Sequence, residues 1–222
     1  MARDEKTAKP PQRSAANYLP KTLSLSSLRK AAARCRGCDL YKDATQTVFG
    51  DGPAHAKVVF VGEQPGDSED KEGHPFVGPA GKLLRKAMDQ VGISPVDAYI
   101  TNAVKHFKYV WRGKRRIHQK PKRTEVIACR PWLEAEIEEV HPRVIVALGA
   151  TAAQSLLGPS FKLTKHRGKF VESEWPAWVT ATVHPSSILR APDEESRHVE
   201  MAKFIADLKI VAKALKGRGT RD

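Results

Sequence analysis

Four short apolar runs constrain this chain more than any other feature: Val58–Val61, Tyr99–Val104, Val144–Leu148 and Trp178–Val183. Each is rich in β-branched or aromatic residues and too short for a helix, so each reads as a buried strand. Helical patterns separate the first three, at Gly81–Val91 after the first, Arg123–Val140 after the second and Thr151–Leu157 after the third. Strands alternating with helices predict an α/β protein, a three-layer α/β/α sandwich around a central, mostly parallel four-stranded sheet. A last helical stretch, Asp193–Leu215, adds a packing helix. Residues 25–222 then form a single domain, long enough to bury a sizeable core. Residues 1–24 are polar, hold three prolines and have no apolar period, which predicts a mobile tail.

Sheets of this kind place ligands beyond the carboxyl ends of their strands. The residues there are Gly62-Glu63-Gln64-Pro65-Gly66, Lys105-His106, Gly149-Ala150-Thr151 and His184-Pro185-Ser186-Ser187. The first group is a tight turn that lets backbone approach a ligand, yet it matches neither the dinucleotide fingerprint nor a P-loop. Glu63 on that turn could face a developing positive charge. His184 could donate a hydrogen bond or cap a helix.

Charge adds a partner. Lys and Arg number 38 against 25 Asp and Glu, a formal +13, which points to a polyanion. The surplus concentrates in residues 105–123, with nine Lys or Arg, no acid, and Phe107, Tyr109 and Trp111 interleaved. Cations neutralise phosphates and aromatic rings stack on bases, so nucleic acid is the expected ligand. His118 sits inside this strip. Its imidazole is a competent nucleophile or base near neutral pH, though by itself it reads as an exposed loop histidine.

Three cysteines are too few for a disulfide scaffold and suit a reducing cytoplasm. No apolar stretch is long enough to span a membrane, and the N-terminus lacks a secretory pattern. Cys35 and Cys38 form a CxxC pair, and Cys129 with His106 would complete four ligands. A Cys3His set suits zinc or an iron–sulfur cluster. A redox CxxC, or three inert thiols, are the alternatives that spacing leaves open.

The ordered motifs Gly62–Asp70, His74-Pro75-Phe76-Val77-Gly78-Pro79-Ala80-Gly81, Thr101–Lys105, Ala128–Trp132, Val146–Thr151 and His184–Ser187 resemble the family 4 uracil-DNA glycosylases. The likeness runs from about Cys35 to Arg190. His106 in place of the family's cysteine, the longer loop with Lys114-Arg115-Arg116-Ile117-His118, and Gln64 in place of alanine look like the UdgX subgroup. The resemblance implies a 4Fe–4S cluster on Cys35, Cys38, His106 and Cys129. It implies excision of uracil from DNA, followed by covalent attachment of His118 to the deoxyribose.

Roles carried over in the same way are Phe76 stacking on uracil, the Asn102 amide reading its edge, and Gln64, Gly62 and Asp67 adding contacts. His184 would stabilise the leaving uracil and Glu63 the sugar cation. Phosphates would rest on Lys114, Arg115, Arg116 and on backbone near Gly78, Gly81, Gly149, Thr151 and Ser186. The expected partners are uracil-containing DNA, preferably single-stranded, acted on by a monomer. A turnover glycosylase that releases a free abasic site and a plain nucleic-acid binding module are the competing functions.

Overall fold

The computed structural model describes residues 13–217. Its strands are β1 Val58–Gly62, β2 Ala98–Asn102, β3 Tyr109–Arg112, β4 Arg115–His118, β5 Val144–Leu148, β6 Phe170–Val171 and β7 Trp178–Thr182. Its helices are α1 Leu25–Ala32, α2 Asp67–Glu72, α3 Pro79–Val91, α4 Arg123–Val140, α5 Ala150–Leu157, α6 Leu163–His166, α7 Pro185–Leu189 and α8 Glu194–Lys216.

The central sheet runs β2-β1-β5-β7-β6, with its first four strands parallel. These are the four apolar runs of the sequence. A fifth strand, β6, pairs antiparallel with β7. It was invisible to the sequence pattern because only two residues pair. Strand β1 is buried along its whole length, as a strand covered on both faces must be.

One face packs Phe60, Leu84, Met88, Val146, Phe204 and Leu208 under α3 and α8. The other packs Val59, Val61, Ile145, Leu133 and Ile137 under α4. A third cluster lies at the side of α4 and gathers Leu28, Phe49, Trp132, Cys35 and Cys129. Ala15, at 0% exposure, belongs to that cluster too. The expected tail over 1–24 is therefore corrected for its described part: Ala15–Tyr18 forms a 3-10 turn capped by Ser14. Residues 1–12 lie outside the described residues.

The basic strip is a hairpin. Strands β3 and β4 pair with Tyr109 opposite His118 and Trp111 opposite Arg116. Gly113 turns the chain at φ +57°, as the first position of a two-residue connection requires. Among the described residues, no helix is long and apolar enough to cross a membrane.

Candidate active site

A cavity of about 570 Å3 opens at the carboxyl ends of β1, β2, β5 and β7. It is lined by Glu63, Gln64, Phe76, Asn102, His118, Gly149, Thr151, His184 and Ser186, all singled out from the sequence. Lys120, Glu69 and Arg190 line it as well and were missed. Arg190 ends α7, a helix too short to leave a periodic signal.

Gly62 pairs with Asn102 across β1 and β2. A Cβ at Gly62 would strike both Asn102 Oδ1 and the Phe76 ring, so glycine is what lets these two side chains share the cavity floor. Phe76 holds a left-handed φ of +56°, strained for a bulky residue. Arg85 donates to its carbonyl at 2.7 Å, and Gly81 leaves that carbonyl the room a Cβ would take. Asn102 is 2% exposed, and its Oδ1 is buried with no hydrogen-bond partner among the described residues. An orphaned acceptor costs free energy unless a ligand N–H completes it.

His184 faces Phe76, with ring centroids 5.7 Å apart. Burial pushes its pKa down to about 4, helped by Arg190 and His118 and opposed by Glu63. Its Nδ1 accepts the Ser186 N–H at 3.2 Å. A neutral ring whose Nδ1 accepts carries its proton on Nε2, so His184 presents a donor.

His118 Nε2 lies 3.2 Å from Glu63 Oε1. Burial would raise the Glu63 pKa, but hydrogen bonds from His118 and Thr151 hold it below the usual carboxylate range. Gln64 fixes the hairpin base: its Nε2 donates to the Lys108 and Gln119 carbonyls, both at 3.1 Å, and its Oε1 accepts from Lys108 N.

Several expected phosphate ligands are engaged inside the chain. Arg116 pairs with Asp67 at 2.5 Å and with fully buried Asp70 at 2.6 Å, and its own side chain is 9% exposed. It anchors the hairpin to α2, which also takes Asp67 out of the cavity lining. The Gly78 amide donates to Glu69, the Gly81 amide to Gly78, the Gly149 amide to Thr182 and the Ser186 amide to His184. A buried amide requires a partner, and each of these four amides has one within the chain. Lys114 and Arg115 remain exposed.

The three predicted cysteine ligands lie in the cluster beside α4, and His106 follows β2. Cys35, Cys129 and His106 are buried, and Cys38 partly so. Trp132 Nε1 donates to Cys35 Sγ at 3.2 Å and Lys105 N to Cys129 Sγ at 3.3 Å. Thr47 Oγ1 sits 2.9 Å from His106 Nε2, and burial lowers the pKa of that ring to about 4, so it is neutral. Among the described residues, no three His, Cys, Asp or Glu side chains converge as ligands of a single metal ion. The donor set itself, soft sulfurs receiving N–H donors plus one neutral imidazole, fits an iron–sulfur cluster.

A family model described as the uracil DNA glycosylase superfamily matches residues 49–209. The chain belongs to that superfamily. It is 40% identical over 167 residues to a type-4 uracil-DNA glycosylase of Thermotoga maritima, covering 75% of this chain and 83% of that one. To a type-4 enzyme of Sulfurisphaera tokodaii it is 35% identical, covering 86% and 87%. To one of Archaeoglobus fulgidus it is 36% identical, covering 83% and 93%.

Proposed function

We propose that this chain excises uracil from DNA and then remains bonded to the deoxyribose through His118, as a UdgX-type protein. The observation that carries the reading is the buried Asn102 Oδ1, without a hydrogen-bond partner among the described residues, in the same cavity as the His118–Glu63 pair. Oδ1 would accept the N3–H of uracil while the amide nitrogen donates to O4. Cytosine has no N3–H and presents a donor where uracil has O4, so it would be refused.

The base would be flipped in and stacked on Phe76, at least cost from a single strand. Single-stranded DNA is accordingly the preferred substrate, and a monomer suffices because the cavity is built within one chain. As the C1′–N1 bond breaks, its electron pair leaves with uracil, and the His184 Nε2–H donates to O2. The Glu63 carboxylate stabilises the sugar cation. The lone pair of the His118 imidazole then bonds to C1′, held there at high effective concentration by the hairpin. Alkylation makes the ring cationic, and Glu63 takes its remaining N–H proton.

Cys35, Cys38, His106 and Cys129 would hold a 4Fe–4S cluster. When bound, it would join the loop after α1, the end of β2 and α4, and supply one-electron chemistry. Lys114 and Arg115 would contact phosphates.

The test is a denaturing gel with uracil-containing oligonucleotide. Wild type should give a shifted, denaturant-resistant band. His118→Ala should give free abasic product instead. Free product from wild type would make the chain a turnover glycosylase.

A further inference from the structure

We infer that Trp111 is a stacking platform for a base flanking the nucleotide in the cavity, and that DNA meets it as a single strand. The inference rests on the DNA substrate proposed above.

Three aromatic residues interleave the basic strip, and the fold occupies two of them. Phe107 is 1% exposed and stacks on Tyr109 with centroids 5.1 Å apart. Tyr109 donates its hydroxyl to the Asp43 carbonyl at 3.0 Å. The Arg116 guanidinium covers both rings, 5.4 Å and 5.0 Å from their centroids. Trp111 is met by Tyr109 only edge-on, at 5.6 Å and 89°, and is 63% exposed.

Strand alternation puts Trp111 on the same hairpin face as Tyr109 and His118, which are cross-strand partners. It lies one same-face step, roughly 7 Å, farther along the hairpin. That is about the spacing of successive bases in an extended strand. Arg112 and Arg115 project from the opposite face of the hairpin and Lys114 sits in its turn, all three exposed, and the strip holds no acid. An exposed indole on a basic hairpin complements a polyanion with free π-faces. In a duplex those faces are covered by neighbouring bases; in a single strand they are open.

The experiment measures binding of a uracil-free oligothymidylate, single-stranded or annealed as duplex, to the cluster-loaded full chain at several salt concentrations. Trp111→Ala should weaken single-strand binding about 5- to 150-fold, the range expected for losing one base–aromatic stack. Trp111→Phe should restore most of it, and neither should change the salt slope. Lys114→Ala should instead make the slope shallower. Without uracil, the measurement is independent of the chemistry at His118, so the platform and the glycosylase reading can fail separately. Unchanged affinity in Trp111→Ala would overturn the platform. So would an equal loss on duplex, or a wild-type dimer that Trp111→Ala converts to monomer, which would give the patch to a second copy of the chain.

Discussion

His118 Nε2 and Glu63 Oε1 are 3.2 Å apart, although one residue ends strand β4 of the hairpin and the other follows β1 of the central sheet. The neighbouring Gln64 clamps the two chain segments that enter and leave the hairpin. A single turn thus supplies both the carboxylate that faces the imidazole and the amide that holds the imidazole in place.

Glu63→Gln should slow both excision and attachment by at least about 100-fold, since it removes a charge facing the sugar cation and a proton acceptor. Hydrogen bonds from His118 and Thr151 outweigh burial and keep the wild-type carboxyl ionised below its ordinary range. The acid limb that Glu63 imposes on single-turnover excision should therefore fall below pH of about 4.3, the ordinary glutamate value. A limb above that value would assign the titration to another group.

Gln64→Ala should loosen the hairpin rather than empty the cavity. Losing its hydrogen bonds to Lys108 and Gln119 lets His118 stray from C1′, and water competes better for the sugar cation. Free abasic product should rise about 10-fold relative to the covalent band, a shift worth roughly 1.4 kcal/mol in the partition. The ratio of the two bands on a denaturing gel measures it.

The four parallel strands were legible because β-branched runs buried on both faces leave a continuous apolar signature. Most of the cavity was legible because it lies at those strands' ends. The hairpin was not: Tyr109–His118 is too polar for strand periodicity, and its pairing rests on Gly113 and on Arg116 held by Asp67 and Asp70. Arg116 shows the limit of reading charge from sequence. Among neighbouring cations it looks like a phosphate ligand, but a fully buried Asp70 nearly 50 residues earlier claims it. Ser14 and Ala15 show the same limit for apparent tails: Ala15, with Tyr18, Leu19 and Leu23, packs into the cluster that holds Trp132 and Leu28, and none of these leaves a periodic signal.

His184 should make stability depend on mildly acid pH. Its folded pKa is pushed to about 4 from an ordinary 6.5, first by burial. Between those values the unfolded chain binds a proton that the folded chain does not, so its contribution is complete above pH of about 6.5 and declines as pH falls toward 4. His184→Gln should flatten that segment of the stability curve. Urea unfolding of both proteins across the window measures the difference in slope, and identical slopes would contradict the assignment.

Lys105 and Glu136 form an ion pair at 0% exposure on both sides. Glu136 also accepts from Tyr99 Oη at 3.0 Å, Thr101 Oγ1 at 3.0 Å and Gly50 N at 2.9 Å. Lys105 donates to Thr101 Oγ1 and to the Asn102 carbonyl at 2.8 Å, fixing the backbone of the residue on the cavity floor. Two charges without water are stable only together, so removing one leaves the other uncompensated. Lys105→Met should cost about 3–5 kcal/mol in urea unfolding followed by circular dichroism. Adding Glu136→Leu should recover part of that loss, because the second change removes the stranded carboxylate. A double variant less stable than the single would mean that the hydrogen bonds of Glu136 to Tyr99, Thr101 and Gly50, rather than its charge on Lys105, hold this junction.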